Sequence, residues 1–346
     1  MMTELDPRQA QRQGEWLVFP LPVQPSGNVS SAAQESGAAA ALVPAAPAAS
    51  AERQTMSPHQ LRQWLLEKTD LPAKWVNRLF SEGGLQCHDG KAMMRAFPVY
   101  DLKRHELYGL AAASLHEAMP PLLYEDDHCL VIHKPVGMSV HPAHPQEGGS
   151  LDEAVLRYLL VSGQQVLARH IHRLDKDTSG PVLYAKNDLA QWRLDEAMRA
   201  KEIERIYVAL VQGVPSPLIG TIDLPIGRDR HHASRQLISK SGKPAITHYQ
   251  VVKAYSLGAL VRIRLETGRT HQIRVHFSHL GHPLVGDCLY GAMIGKQALA
   301  PLSHQALHGE SLLFKHPLTM EPLDIATPVP PWFDQAQQAL TARSKL

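Results

Sequence analysis

The stretch HRLDKDTSG, residues 172–180, lies between two apolar segments with strand character: Ile171 before it and residues 182–184 after it. This loop carries a carboxylate, Asp175. Two flanking strands would hold that carboxylate rigidly while its oxygens stay open to a substrate, which is how a nucleophile or a base is displayed. The alternative is an Asx-type turn, in which Asp175 or Asp177 bonds its own backbone.

The composition is typical of a soluble globular protein with room for about two domains. The chain has 346 residues, of which 44% are hydrophobic and 20% charged. Its three cysteines are far apart and form no CxxC pair, so we expect reduced thiols in a cytoplasmic protein. No run of about 18 apolar residues is present, which predicts no membrane span. The Ala-rich residues 38–49 lack a basic leader and contain prolines, so they make a poor secretion signal.

The charge is uneven along the chain, although the net charge is only +2. Residues 201–274 contain 12 Lys and Arg against 5 Asp and Glu, an excess of seven positive charges. A local basic stripe on a nearly neutral protein indicates that a polyanion docks on one face. An ordinary solvated surface is the alternative.

The chain divides into four predicted segments. Residues 1–25 contain a candidate strand (EWLVFPLPV), and residues 26–55 form a disordered Ala/Pro-rich insertion or linker. Residues 56–118 form a small domain and residues 119–346 a larger one. In the small domain, Ser57 and Pro58 open a helix, a second helix follows, and GGLQCHDGK ends the pattern. This order is similar to the alpha-L RNA-binding domain, which implies an RNA-binding role.

The larger domain is predicted to be α+β, with a mixed, largely antiparallel sheet and peripheral helices. Residues 205–211 and 259–265 alternate apolar and polar side chains, as half-buried strands do. Asn187 or Asp188 caps one helix, and Thr270 begins another that ends at Gly281.

Several further motifs accompany the HRLD and TSG of the loop. They are IHKPVGMSVHP at 132–142, IYVALV at 206–211, GKPAITHY at 242–249, LETGRTHQIRVHFSHLGHPLVGD at 265–287 and HPLT at 316–319. In order and spacing, this set resembles the RluA-type pseudouridine synthases, which isomerise uridine in RNA. The resemblance extends from residue 122 to about residue 332 and implies the same fold.

The resemblance implies a catalytic role for three residues. Asp175 matches the family's catalytic aspartate; whether it attacks the sugar or carbon 6 of the base stays open. Arg269 matches the arginine that ion-pairs with the nucleophile, keeping Asp175 ionised and oriented. Tyr207 matches the tyrosine that stacks on uracil and takes the proton from carbon 5. A turn-capping arginine and a packed core tyrosine are the alternatives.

The remaining predicted residues bind RNA. Arg173 is predicted to fill the space that the uridine leaves when it is extruded from its stem, which costs roughly a few kcal/mol. Leu174 and Ile273 are predicted to wall the pocket. Basic residues that could contact phosphates, or could equally be solvated, are Lys186, Lys243 and Arg274.

We therefore expect a monomeric cytoplasmic isomerase that acts on a stem-loop of ribosomal or transfer RNA without cofactor or metal. The reaction neither gains atoms nor changes redox state, and the chain lacks a GxGxxG after a strand. A zinc hydrolase is one alternative, suggested by the dense histidines His271, His276, His279 and His282, but no HExxH is present. An RNA-binding protein with a dead site is another.

Two residues depart from the family pattern. Pro181 follows TSG where a larger aliphatic residue is usual, and Gly309 follows His308 where alanine is common. Neither departure is expected to touch the chemistry.

Overall fold

The computed structural model describes residues 9–21, 56–144, 147–291 and 302–341. The chain forms two compact units, Met1–Pro98 and Val99–Leu346. The predicted disordered insertion at residues 26–55 lies outside the described residues. Within them, no helix is long and apolar enough to cross a membrane.

The first unit combines two helices with a four-stranded antiparallel sheet. Its elements are β1 (Gln11–Gln13), β2 (Trp16–Pro20), α1 (Pro58–Lys68), α2 (Ala73–Ser81), β3 (Leu85–His88) and β4 (Lys91–Met94). The strand order is β1-β2-β4-β3, so β2 pairs with a strand that follows residues 26–55 in sequence. Both predicted helices are confirmed, and α1 starts at a capping box between Ser57 and Gln60. The likeness to the alpha-L domain stays a prediction.

The second unit contains five helices and twelve strands among its described residues. They are α3 (Tyr108–Ala113), β5 (Leu122–Glu125), β6 (Cys129–Lys134), α4 (Leu151–Val161), β7 (Arg169–His170), β8 (Gly180–Ala185), α5 (Asp188–Arg199), β9 (Glu204–Gln212), β10 (Ile219–Asp223), β11 (Ile226–Arg228), β12 (Gln236–Ile238), β13 (Ile246–Ala254), β14 (Gly258–Leu265), α6 (Gln272–His279), β15 (Leu307–Lys315), β16 (Pro322–Ala326) and α7 (Pro331–Ala339).

These strands form three sheets, ordered β10-β13-β14-β9-β15-β16, β5-β6-β8-β7 and β11-β12. Every pair of named strands is antiparallel, which confirms the predicted fold class. Alternate residues of β9 and β14 pack into one apolar core with Ile273 and Phe277 of α6. One face of the central strand β9 therefore packs against α6, the helix that carries Arg274.

The second unit begins at Val99, earlier than the predicted boundary between residues 118 and 119. Tyr100 donates its backbone N–H to Gln165 O at 2.9 Å. Just after α3, the Ser114 hydroxyl donates to Glu153 Oε1 at 3.0 Å and accepts from Arg157 Nη1 at 3.1 Å. These long-range bonds connect the segment before residue 119 to α4 and to the loop that follows it.

The loop that carries Asp175 is joined to the six-stranded sheet at its C-terminal end. Gly309 N donates to Ser179 O at 2.7 Å, and the Ser179 hydroxyl lies 2.8 Å from His308 Nδ1. Gly180 has φ of +136°, and a Cβ there would lie 2.7 Å from the Cα of Gly309. Because a side chain at Gly180 would collide with backbone, this junction requires glycine.

The two departures from the family pattern meet at this junction. A Cβ on Gly309 would lie 2.9 Å from Cδ of Pro181, closer than carbon atoms normally approach. The proline ring therefore occupies the space that an alanine methyl group at residue 309 would need.

Candidate active site

A cavity of about 700 Å³ opens in the second unit between the Asp175 loop, strand β9 and the turn before α6. It brings together seven of the nine predicted site residues: Arg173, Leu174, Asp175, Tyr207, Arg269, Ile273 and Arg274. Lys243 does not line this cavity; its side chain is exposed, and its backbone pairs with Ile226. Residues far apart in sequence thus converge on one concave surface.

The loop that carries Asp175 is held in place by the buried side chain of Lys134. Lys134 is fully buried, and its ammonium donates to the carbonyl oxygens of Pro135, Met138 and Lys176 at 2.9, 2.7 and 3.0 Å. Because Lys176 directly follows Asp175, these bonds fix the backbone next to Asp175. Among the described residues, the Asp175 carboxylate bonds Arg274 and not its own loop, so the alternative of an Asx turn at this side chain is not what the structure shows.

The cation beside Asp175 is Arg274. Its Nη1 donates to Asp175 Oδ2 at 3.4 Å, while Nε and Nη2 donate to Asp287 Oδ2 and Oδ1 at 2.7 and 3.0 Å. The side chain of Asp287 is fully buried. Burial acts to lower the pKa of Arg274, but the bonds to Asp287 and the charges of both carboxylates raise it above the usual value. Arg274 therefore stays charged and lies between two carboxylates.

This arrangement corrects two predictions. The ion pair of Arg269 with Asp175 is not formed, because Arg269 Nε donates to Pro244 O at 2.9 Å. Arg274 is not free to bind a phosphate, since it is buried and already bonded to two carboxylates. The reason is geometric. Arg269 precedes α6, whereas Arg274 lies in its first turn, from which side chains point back toward the helix N-terminus.

Helix α6 begins at Gln272, two residues after the predicted start at Thr270. His271 takes a left-handed conformation, with φ of 58°, and its Nδ1 lies 2.9 Å from the Tyr290 hydroxyl. The Gln272 Oε1 accepts from Arg269 N at 3.0 Å. Side-chain hydrogen bonds thus hold the turn before the helix starts. Gly281 ends the helix as predicted.

Tyr207 lies on β9 and is buried beside the cavity. Burial raises the pKa of its hydroxyl, Arg205 opposes that shift, and Asp175 adds to it. Leu174 and Ile273 are also buried and line the cavity. An apolar wall with one aromatic ring is the kind of surface on which a flat base stacks.

The family comparisons agree with this site. The model of the RNA pseudouridylate synthase family matches residues 128–279, which hold the Asp175 loop, β9 and α6. The uncharacterized RNA pseudouridine synthase YhcT of Bacillus subtilis is 43% identical over 211 residues, covering 60% of this chain and 68% of the relative. The chain belongs to the RluA-type pseudouridine synthase family. It is an isomerase of the class that converts uridine to pseudouridine.

Other relatives of the synthase are named for ribosomal RNA or are known as structures. The ribosomal large subunit pseudouridine synthase D of Vibrio cholerae is 42% identical over 240 residues, covering 65% of this chain and 72% of the relative. The structure of human RNA pseudouridylate synthase domain containing 4 matches with a TM-score of 0.52 at 25% identity. That match covers 67% of the synthase and 95% of the human chain.

The cavity of the synthase has a buried floor and a charged rim. The floor consists of side chains that are buried or partly buried: His172, Asp175, Arg205, Tyr207 and Arg274. The rim consists of exposed cations: Arg173, Arg199 and Lys201. Lys201 pairs with Glu266 at 2.7 Å. The cations of the rim continue the positive charge predicted from residues 201–274.

Lys186 does not take part in the cavity. Its side chain is buried, and its ammonium donates to Glu125 Oε1 at 2.7 Å and to Asp126 O at 2.6 Å. The prediction of a phosphate contact at Lys186 is therefore wrong, since both the charge and its bonds are used within the protein.

Sequence reasoning missed three residues of the site: His172, Arg205 and Asp287. His172 is 6% exposed, burial lowers its pKa to about 3, and its Nε2 accepts from Leu183 N at 3.3 Å. For Arg205, a signal was present, because it stands two residues before Tyr207 and thus on the same strand face. Asp287 closes a quoted motif, but nothing in the sequence pairs it with Arg274.

The four histidines of the zinc hypothesis do not form a cluster. Of the residues that the structure describes, one group of three could hold a metal ion: Asp126, Cys129 and His316. In it, His316 Nε2 bonds Asp126 Oδ2 at 2.6 Å, and His316 Nδ1 accepts from Leu318 N and Thr319 N. Both ring nitrogens are used within the protein, so this group is explained as a hydrogen-bond network.

Proposed function

We propose that the synthase isomerises uridine in structured RNA, most directly large-subunit ribosomal RNA, with Asp175 as the nucleophile. The observation that carries this proposal is the ion pair between Asp175 and buried Arg274, 3.4 Å apart in the floor of an open cavity. The ribosomal substrate is supported by relatives such as the ribosomal large subunit synthase of Vibrio cholerae. Transfer RNA is the alternative substrate; the monomeric state and the cytoplasmic location stay predictions.

The proposed reaction needs only the uridine and the side chains of the floor. Asp175 forms a bond to the nucleotide, either to the sugar carbon or to carbon 6 of the base. The bond between ribose and ring nitrogen breaks, the base turns over, and carbon 5 bonds the sugar. The bond to Asp175 breaks, either as carbon 5 displaces the carboxylate from the sugar or by elimination from carbon 6, so that the carboxylate is regenerated. Carbon 5 loses its proton, and the ring nitrogen that was bonded to ribose gains one. Arg274 orients the carboxylate of Asp175 by a hydrogen bond.

Tyr207 is proposed to stack on the uracil and to remove the proton from carbon 5 in the last step. Its burial beside Leu174 and Ile273 supports the stacking role. Because burial raises the pKa of the hydroxyl, the phenolate is a strong base that is rarely populated at neutral pH.

Arg173 is proposed to fill the stack after the uridine is extruded. It is exposed and lines the cavity two residues before Asp175. The residue that fills the vacated space and the proposed nucleophile therefore lie on one loop. Extrusion costs roughly a few kcal/mol, which a side chain inserted into the vacated space would offset. The exposed cations of the rim are proposed to contact the phosphates on either side.

The test is release of tritium from uridine labelled at carbon 5, in an unmodified transcript of large-subunit ribosomal RNA. We expect release that a chelator leaves unchanged. Release abolished by the chelator would indicate a metal enzyme, and no release from ribosomal or transfer RNA would indicate an inert RNA-binding protein. Mapping pseudouridine in total RNA with and without the gene then identifies the modified position.

A further inference from the structure

Arg205 is a buried cation of the floor that no group in the described part of the chain neutralises. It is 7% exposed, and among the described residues it forms neither an ion pair nor a hydrogen bond, with its Nε buried and unpartnered. A buried guanidinium left without a partner is strongly unfavourable. Because Arg205 also lines the cavity, the missing partner is expected to arrive with the substrate.

The surroundings of Arg205 leave its charge uncompensated. The two carboxylates that line the cavity are paired with other cations, Asp175 with Arg274 and Glu266 with Lys201. His172, whose pKa Arg205 helps to lower, is neutral. The positive charge of Arg205 therefore acts on any group that binds at the floor of the cavity.

The position of Arg205 favours a base over a phosphate as its partner. Arg205 and Tyr207 are neighbours on one face of β9, and both are buried. The proposed function places the uracil ring against Tyr207, while the exposed arginines of the rim are the groups that a phosphate backbone reaches first. A desolvated uracil ring also needs donors for its carbonyl oxygens.

We propose that Arg205 binds a carbonyl oxygen of the extruded uracil and stabilises the negative charge that the base acquires during isomerisation. This inference rests on the proposed function. If Asp175 attacks the sugar, the electron pair of the broken bond leaves with the base and spreads over the ring nitrogen and the carbonyl oxygens. If Asp175 adds to carbon 6, the electron pair of the ring double bond moves to a carbonyl oxygen. In both routes Arg205 donates to an oxygen that gains charge, as an oxyanion hole does.

The first test replaces Arg205 by methionine in the full chain. We expect tritium release at saturating RNA to fall on the order of 100-fold, the loss typical of one oxyanion donor, while RNA affinity and its salt dependence stay as in the unaltered synthase. The matched variant Arg199→Met, in the rim, is expected to show weaker binding with a shallower salt dependence.

Two results of this test would overturn the inference. If Arg205→Met flattens the salt dependence by about one phosphate contact and leaves the rate at saturating RNA intact, Arg205 is a phosphate ligand. If neither property changes, Arg205 is only structural. The unaltered synthase is assayed in parallel, and its failure to release tritium would instead disprove the proposed function.

The second test moves the guanidinium without deleting it. A Cβ on Gly268 would lie 2.6 Å from Arg205 Nη1, so Gly268→Ala should displace the donor. We expect a smaller loss of rate, several-fold, and no further loss when Gly268→Ala is added to Arg205→Met, because both changes remove one interaction. Equal losses in both backgrounds would contradict the inference. Thermal unfolding of each variant shows that the comparison concerns folded protein.

Discussion

Arg274 and Arg199 line the same cavity under opposite conditions. Arg274 belongs to the floor, where it is 8% exposed and holds Asp175 and Asp287. Arg199 belongs to the rim and is exposed at the end of α5. A buried cation with fixed partners, as Arg274 has, sets geometry, whereas an exposed one stays free to meet a mobile polyanion. This contrast predicts that the floor determines the rate of isomerisation and the rim the affinity for RNA.

The largest expected effect is that of Asp175→Asn. Removing the proposed nucleophile should lower turnover by on the order of a thousand-fold or more, while RNA binding is retained, since the proposed covalent route is lost and the rim is intact. Tritium release and filter binding measure the two properties separately. A variant with near-normal turnover would refute the role of Asp175 and the contrast between floor and rim.

The next effect concerns the buried pair. Arg274→Met leaves the carboxylate of Asp287 buried without its cation, which should lower the free energy of unfolding by roughly 3–5 kcal/mol and also lower turnover. Urea unfolding measures the first effect. The matched control is Arg269→Met, which removes a guanidinium that bonds only Pro244 O among the described residues. Equal destabilisation by both variants would contradict the assignment of Arg274 as the central cation.

We expect a decrease in pH to lower the free energy of unfolding before it changes the charged rim. His172 and His308 are buried, with pKa values lowered by burial to about 3 and about 4 from a usual value of 6.5. Between 6.5 and these values the unfolded chain binds protons that the folded chain does not. Stability is therefore full above pH 6.5 and falls as the pH decreases, by about 1.4 kcal/mol per pH unit for each histidine.

Urea unfolding at a series of pH values below 6.5 measures this slope. His308→Gln should reduce it, whereas the same change at exposed His232 should not. A free energy of unfolding that does not change from pH 6.5 to pH 4.5 would show that these histidines are not kept neutral in the folded protein.

The smallest expected effect is that of a single rim cation. Arg199→Met should weaken RNA binding a few-fold and lower the slope of log affinity against log salt by about one. Filter binding at several salt concentrations measures this slope. Unchanged affinity and slope would mean that the phosphates follow another surface.

Much of the fold followed from local signals in the sequence. Ser57 and Gln60 cap α1 where predicted, because a capping box is encoded by neighbouring residues. The alternation of β14 predicted that strand, since a strand with one buried face has a period of two. Residues 205–211 also form the predicted strand β9, but residues 207–211 are all buried, so both faces of β9 are covered there. The domain boundary was missed because the bonds of Tyr100 to Gln165 and of Ser114 to Glu153 join residues distant in sequence.

The site was predicted less completely than the fold. The motif containing Arg269 and Arg274 was found, but the partner of Asp175 depends on where α6 begins. Because His271 has a left-handed conformation, α6 begins after it, at Gln272. Nothing in the composition of TGRTHQIR indicates this conformation. Arg205 was counted as part of a basic stripe, because burial is a property of the folded chain and not of a charge count.

The contact between Pro181 and Gly309 restricts the order in which this junction can have evolved. A proline introduced opposite an alanine would have met its methyl group, whereas glycine first opens the space and then admits the ring. If residue 309 was once the alanine common in the family, a single-step history that avoids the clash passes through glycine at residue 309 before proline at residue 181. Returning residue 309 to alanine now requires that residue 181 change first.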